Sequence, residues 1–401
     1  MTERLYYSDS FLREFDAQVL TCEPACEPNA ARWRVRLDRT AFYPTSGGQP
    51  FDTGRLGNAT VVEVIDGEHD EIFHFTDRPV PPGAIHGTID WPRRFDHMQQ
   101  HTAQHMLSAA FIELFQFQTV SFHLGREIST IDLAAPSIAP RHLEEAERRV
   151  NEVIFEDRPI EVRYGTAEEL VAQGVRKKVE REGTLRVVGI EHFDRQPCGG
   201  THLARTGQAG MLLVRKCERQ KQHWRIEFVA GFRALAAARA DFSALRQAAE
   251  QLGCGMQEVP EMVRKFQEER RAGQRDTKKL TERLAELEAA NLLAKNAETS
   301  HDGKHRIIVF ISDDAASSYL AMLAAKIVAT PNMRVVLASR AAQAIVLAQS
   351  AGLDGDMSAL LRELLAPLDG KGGGSKVFAQ GIVGNASVID NLLSEGKRLL
   401  G

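Results

Sequence analysis

Cysteine is scarce in this chain, with five residues in 401, and they are too scattered to form the disulfide framework of a small secreted domain. No apolar run is long enough to span a bilayer. The stretch from Met1 to Asp16 mixes acidic and basic residues and lacks the apolar centre of a signal peptide, so a soluble, cytoplasmic protein is expected. An excess of one charge is missing as well: 50 Lys and Arg stand against 54 Asp and Glu, a net charge of −4. That balance excludes a broadly basic coat for nucleic acid. It leaves room for a local patch, because affinity for phosphate depends on where cations cluster. What remains is ordinary globular usage, 43% apolar and 26% charged, over a length that suits about two to three domains.

The pattern changes character along the chain. Short period-two runs at Arg32 to Leu37, Thr60 to Ile65, Ile72 to Phe75 and Ile85 to Ile89 are broken by Gly, Pro and Asp. They predict a small barrel or sandwich, placing an N-terminal β-barrel at 1–92. From Phe95 to Phe115 the period is helical, and a charged helix follows from Arg141 to Phe155. Strand-like segments at Ile128 to Leu133, Ile160 to Tyr164, Leu185 to Ile190, Met211 to Lys216 and Trp224 to Val229 make 93–235 an α/β two-layer domain. An Ala-rich helix then leads into a charge-dense segment, Met262 to Asn296, where Leu280, Leu284, Leu287 and Ala294 share one stripe. Gly253, Gly255, Pro260 and Gly273 argue against a long rod, so 236–303 is expected to be a coiled-coil-like linker that separates domains or pairs with a second copy. Strands and helices alternate again over 304–401, predicting a small α/β domain. The fold class is therefore α+β and multidomain.

Two short segments carry the chemistry. His101-Thr102-Ala103-Gln104-His105 puts two imidazoles on one helix face, one turn apart. That spacing alone is common, and His97 extends the row. Cys198-Gly199-Gly200-Thr201-His202 is far less ordinary, pairing a thiol and an imidazole around glycines that let backbone approach a ligand closely. Together His101, His105, Cys198 and His202 offer the nitrogen and sulfur donors that a zinc ion takes. Cys22 and Cys26 repeat the spacing without a third donor nearby and read as loop cysteines. Basic residues cluster at Arg215, Lys216, Arg219, Lys221 and Arg225, and again at Arg176, Lys177, Lys178 and Arg181. Near the C-terminus Lys371-Gly372-Gly373-Gly374-Ser375-Lys376 is expected to be a glycine loop presenting N–H groups and ammonium charge to phosphate, without the spacing of a P-loop.

Ala41 to Gly54 (AFYPTSGGQPFDTG), His101 to Leu107 and Gln196 to His202 resemble, in this order, the three signatures of alanyl-tRNA editing proteins. Gly372 to Gly381 looks like the terminal domain of alanyl-tRNA synthetases and of DHH-type phosphoesterases. The match spans nearly the whole chain and is to the long, freestanding form of the alanyl-tRNA editing (AlaX) family. It departs at Ser46, where many members have a third glycine. No class II activation domain precedes the barrel segment, so the chain is expected not to charge tRNA.

The resemblance implies hydrolysis of the ester that joins a wrong amino acid, chiefly serine and also glycine, to tRNA(Ala). Zinc on His101, His105 and Cys198 would either activate a water or grip the ribose and amino group. His202 is either a fourth ligand or a base that orients the water. Backbone N–H groups of Gly199 and Gly200 are candidates for stabilising the oxyanion. Gln49 and Ser121 are candidates for the serine hydroxyl, against a bracing role for Gln49 and a plain strand role for Ser121; Thr201 is a further substrate-binding candidate. Arg215, Lys216, Arg219, Lys221, Arg225, Lys371, Gly372, Gly373, Gly374 and Lys376 are the tRNA-binding candidates, and a homodimer through the linker or terminal domain is a possible assembly. The alternatives are an editing hydrolase for another aminoacyl-tRNA and a non-catalytic tRNA-binding protein with a structural zinc.

Overall fold

A computed structural model describes residues 1–25, 32–166, 185–295, 297–300, 303–368 and 370–400. Cys26 and the cluster Arg176, Lys177, Lys178 and Arg181 lie outside the described residues. Two compact units are formed, Met1–Ala248 and Ala249–Gly401. Among the described residues no helix is long and apolar enough to cross a membrane.

The first unit begins with a closed barrel of strands Glu14–Pro24, Trp33–Leu37, Ile72–Thr76, Ala59–Asp66, Gly54–Leu56 and Gly83–Ile89, in that order around the wall. Alternation fills it: Phe15, Ala17, Val35, Leu37, Val61, Val64 and Ile72 are buried while their neighbours in sequence turn outward. Closure leaves no sheet edge to pair with another chain. The eleven-residue strand Glu14–Pro24 is missing from the sequence reading. Its alternation fades after Val19, where Leu20 is 49% exposed, so half the strand carries no pattern to detect.

Inside the barrel His74 is fully buried, with Nε2 2.8 Å from Thr40 Oγ1 and Nδ1 3.3 Å from the Val35 carbonyl. Burial pushes its pKa from 6.5 down to about 4, against the weaker upward pull of the Val35 hydrogen bond. The folded barrel thus keeps the ring neutral where the unfolded chain protonates it. Stability is fully present above pH 6.5 and is expected to fall as pH drops from 6.5 toward 4, by about 3 kcal/mol. Urea unfolding across that window should show a slope one proton shallower in His74→Gln; an unchanged slope would refute the assignment.

Beyond the barrel, helix α1 (Trp91–Phe115) and helix α2 (Pro140–Phe155) pack on a four-stranded antiparallel sheet ordered Leu212–Gln220, His223–Ala230, Ser129–Ala134, Gln118–Leu124. Met106, Leu107, Phe111, Val150, Ile131 and Phe228 share this core. A three-stranded sheet of Ile160–Gly165, Leu185–Ile190 and Asp194–Pro197 completes the unit. Asp90 caps α1 and Pro92 sits in its first turn, where a missing N–H costs nothing. α1 is buried on nearly every side from His97 to Phe111 although many of those residues are polar, which requires partners for each of them. One pairing joins the barrel to the helix: Arg94 and Asp52 are both 0% exposed, and Arg94 Nε donates to Asp52 Oδ1 and Oδ2 at 3.1 and 3.0 Å. Arg94 Nη1 also donates to the Ser10 carbonyl at 3.0 Å.

In the second unit a six-stranded sheet runs Glu298–Thr299, Arg306–Ser312, Met333–Ser339, Ala344–Gln349, Phe378–Ile382, Lys371–Gly374. Val335 and Leu337 face the helix Ser317–Val328 together with Ala289 and Leu292, while Val336 and Ala338 face the helices Met357–Leu365 and Ile389–Leu400. A strand buried on both faces reads as a continuous apolar run, as here. Two expectations are corrected. The charge-dense segment is one unbroken helix of 37 residues, Val259–Lys295. Gly253 and Gly255 precede it, Pro260 falls in its first turn, and Gly273 costs only about 1 kcal/mol in a helix interior. Lys371–Gly374 is an edge strand paired with Phe378–Ile382, and only Ser375 to Val377 turn. Its glycines are required by that pairing, since a Cβ at Gly372 would lie 2.8 Å from the Gln380 carbonyl and one at Gly374 2.2 Å from that of Phe378.

Candidate metal centre

His101 and His105 project from α1, and the loop after Asp194–Pro197 brings Cys198 and His202 against them. One donor atom from each lies within 4.8 Å of the other three. Cys198 Sγ is 3.4 Å from His101 Nε2 and 3.2 Å from His202 Nε2. Tetrahedral bonds of about 2.0 Å to nitrogen and about 2.3 Å to sulfur give edges of about 3.3–3.6 Å. The two Cys198 distances match them, the widest donor separation of up to 4.8 Å would have to narrow around an ion, and three imidazoles with one thiolate are donors that suit zinc. His97 stays out of the cluster: it is buried and its pKa is lowered to about 3 by burial and by Arg93, Arg233 and Arg94.

Each imidazole is held from behind. His101 Nδ1 donates to Gln49 Oε1 at 2.8 Å, His105 Nδ1 faces Asp194 Oδ2 at 3.4 Å, and His202 Nδ1 meets Thr102 Oγ1 at 3.2 Å. These contacts turn the Nε2 lone pairs inward and fix the tautomer, as bound metals require. Burial raises the Cys198 thiol, but His101 and His202 and hydrogen bonds from His101 and His105 outweigh it and hold the thiol well below its ordinary value. Burial pushes His202 down to about 3. Burial lowers His105, but hydrogen bonds and charge from Asp194 and Cys198 outweigh it and raise that imidazole to about 10. A thiolate thus stands beside a neutral His202 and a protonated His105, and an ion that binds displaces the His105 proton.

Gln49 is fully buried and spans barrel and loop. Its Oε1 also accepts from Thr201 N at 3.1 Å and its Nε2 donates to Thr201 Oγ1 at 2.8 Å. Removing it in Gln49→Ala should weaken metal affinity about 10- to 100-fold, read by competition with a chromophoric chelator; unchanged affinity would contradict the bracing role. Thr201 is 0% exposed and committed to Gln49, outside the cavity lining. The turn before Gln49 uses Gly47 and Gly48 at φ 53° and 83°. Ser46 has no positive φ among these and bridges Gln49 instead, which explains why a serine is tolerated there.

The glycines of the loop do different work from that expected. Gly200 N donates to Cys198 Sγ at 3.4 Å, so it is not free for an oxyanion. Its lack of a side chain makes room for His101, since a Cβ would lie 2.2 Å from His101 Cε1. Gly199 is exposed and lines the cavity. Arg186 Nη1 anchors the loop through the carbonyls of Cys198 and Gly200 at 2.7 and 2.9 Å.

A cavity of about 520 Å³ opens beside His101, His105 and Cys198, walled by Tyr43, Ile112, Val120, Phe122 and Pro197. Ser121 also lines it, but its hydroxyl donates to Asp132 Oδ2 at 2.6 Å. The basic cluster is mostly neutralised: Arg215 pairs with Asp241, Lys216 with Glu218 and Arg225 with Asp132. Arg219 and Lys221, near the tip of the hairpin Leu212–Gln220/His223–Ala230, are exposed and have no ion pair among the described residues. Lys371, Gly372, Gly373, Gly374 and Lys376 are exposed along the sheet edge of the other unit. Asp194, Thr102 and Asp52 went unread in the sequence; only Asp194, four residues before Cys198, shares a motif-like spacing with a ligand.

Residues 185–227 match the family model described as the threonyl and alanyl tRNA synthetase second additional domain. The chain is similar to alanyl-tRNA editing protein AlaX-L of Pyrococcus horikoshii, with 30% identity over 96% of this chain and 95% of that one. It is 32% identical to the alanine–tRNA ligase of Thermococcus kodakarensis over 100% of this chain but only 44% of the ligase. The alanyl-tRNA editing protein Aarsd1 of Bos taurus is 32% identical over 69% of this chain and 65% of its own. The solved C-Ala domain of Aquifex aeolicus alanyl-tRNA synthetase is 25% identical and covers 26% of this chain and 94% of its own, at a TM-score of 0.22 too low to bear on the fold.

Proposed function

Since the chain belongs to the alanyl-tRNA editing protein family, we propose that it is a hydrolase that removes a wrong amino acid, serine foremost and glycine with it, from mischarged tRNA(Ala). The observation that carries this reading is the placement of three buried or half-buried donors in the wall of a cavity of about 520 Å³. A metal that served only to hold the loop would need no such opening. The cavity suits a small esterified residue and the end of its ribose.

His101, His105, Cys198 and His202 would hold the ion, and with Gln49, Asp194 and Thr102 behind the imidazoles His202 is best read as a fourth ligand rather than a base. An ion held by those four donors would supply Lewis-acid polarisation to whatever oxygen it accepts from the cavity as an added ligand. The chain's own part is positioning. Phe122 and Pro197 exclude bulk water from one side of the cavity. The Gly199 N–H, at the open lip, is the remaining backbone candidate for the developing oxyanion. Arg219, Lys221, Lys371 and Lys376 are proposed to meet phosphates of the tRNA, with a correspondingly salt-dependent affinity.

Incubation of the purified protein with seryl-, glycyl- and alanyl-tRNA(Ala), with and without a chelator, tests the reading. Rapid, chelator-sensitive loss of the seryl ester with the alanyl ester spared is expected. Equal loss of seryl and alanyl esters would remove the proofreading role, and no loss at all would remove the hydrolase.

A further inference from the structure

On α1 the residues facing the cavity are His101, Gln104, His105, Ser108 and Ile112, one stripe at helical spacing. Two of them are the imidazoles of the metal centre. Gln104 lies between them in sequence, is 4% exposed, and has no part in holding either ring. Its Nε2 donates to Ser108 Oγ at 2.9 Å, and the same oxygen accepts from Thr119 Oγ1 at 2.8 Å. The amide is therefore tethered at one end. At the other end Oε1 is buried and has no hydrogen-bond partner among the described residues.

An unpartnered buried acceptor is costly, and a ligand that supplies a donor recovers the loss. We propose that Gln104 is the residue that distinguishes a seryl from an alanyl ester, by accepting a hydrogen bond from the serine hydroxyl. The inference rests on the editing reading above and names the specificity of that same cavity. An ester carbonyl beside His101, His105 and Cys198 leaves its side chain to point along the wall formed by α1 and the strand Gln118–Leu124, which is where Gln104, Ser108 and Thr119 meet. Serine completes the amide there. A methyl group in the same place would leave Oε1 unpaired, and a site built around a hydroxyl rejects the analogue that lacks it. The α-ammonium group, common to every aminoacyl ester, offers no such discrimination. Ser121 and Gln49 are less suited, since the Ser121 hydroxyl is given to Asp132 and the Gln49 amide to His101 and Thr201.

The test compares Gln104→Met, close in shape and without an acceptor, with the wild-type protein on seryl-, glycyl- and alanyl-tRNA(Ala). The seryl kcat/KM should fall about ten-fold or more, the scale of one lost hydrogen bond. Glycyl and alanyl rates and the metal content should stay within about two-fold. If Gln104→Met does not fold or bind metal, Ser108→Ala, which unhooks the amide while leaving it in place, is held to the same selective fall. A variant that folds and keeps the wild-type preference, or loses all three esters equally, overturns the role of Gln104 alone. A wild-type protein that hydrolyses no seryl ester takes down the editing reading and this inference together.

Discussion

Cys198→Ala is expected to abolish deacylation, by about a thousand-fold or more, while leaving a folded protein that still binds tRNA. The thiolate is the only sulfur among the four clustered donors, and its pKa is held down by the imidazoles around it. Without it three nitrogens remain, and the Lewis acidity that a bound ion contributes, worth several kcal/mol, is weakened or lost with the ion. At about 1.4 kcal/mol per factor of ten, that accounts for the predicted drop. The fold should survive because Cys198 sits on a loop, outside the core built from Met106, Phe111, Ile131 and Phe228. Single-turnover hydrolysis, bound-metal analysis and far-UV circular dichroism on one preparation check it. Loss of helical signal in Cys198→Ala would show instead that the ion is a structural clamp.

Arg94→Met should be the most destabilising single change in the first unit. Among the described residues it leaves the Asp52 carboxylate fully buried with no cation, retaining only the Tyr43 N–H at 2.6 Å. Breaking one partner of a buried pair costs about 3–5 kcal/mol, which for a unit of this size lowers the melting temperature by on the order of 10 °C. Asp52 lies three residues after Gln49, and Arg94 seven before His101. The pair thus pins the barrel loop that braces His101 to the helix that carries it. Metal affinity should fall along with stability. Replacing both partners by apolar residues should restore part of the stability, since no lone charge then remains buried, but not the Tyr43 contact. A melting temperature within about 2 °C of wild type for Arg94→Met would refute the pairing's importance.

The four clustered His and Cys residues were legible because their chemistry is written in their own side chains. Two imidazoles at helical spacing and a Cys-Gly-Gly-Thr-His segment announce themselves, and four of the six barrel strands showed in their alternation, Glu14–Pro24 and Gly54–Leu56 being the two that did not. What supports the donors was not legible. Asp52 is ordinary among Thr and Gly in a loop, and nothing local marks it as the partner of Arg94, whose own place on a helix suggests a solvated cation. Thr102 acts on His202, a hundred residues away, and Asp194 on His105, about ninety residues away, so neither role shows in the local sequence. The helix Val259–Lys295 was misjudged because Gly273 weighs more in a pattern than in energy. Lys371–Gly374 looked like a loop because glycine usually marks one; here close strand approach demands it.

X-ray absorption at the zinc edge of the purified protein is the most direct measurement of whether the two distant segments clasp one ion. One zinc per chain is expected, with about one sulfur near 2.3 Å and nitrogens near 2.0 Å, the sulfur shell vanishing in Cys198→Ala. A protein without zinc, or with a zinc that has no sulfur neighbour, would contradict the account.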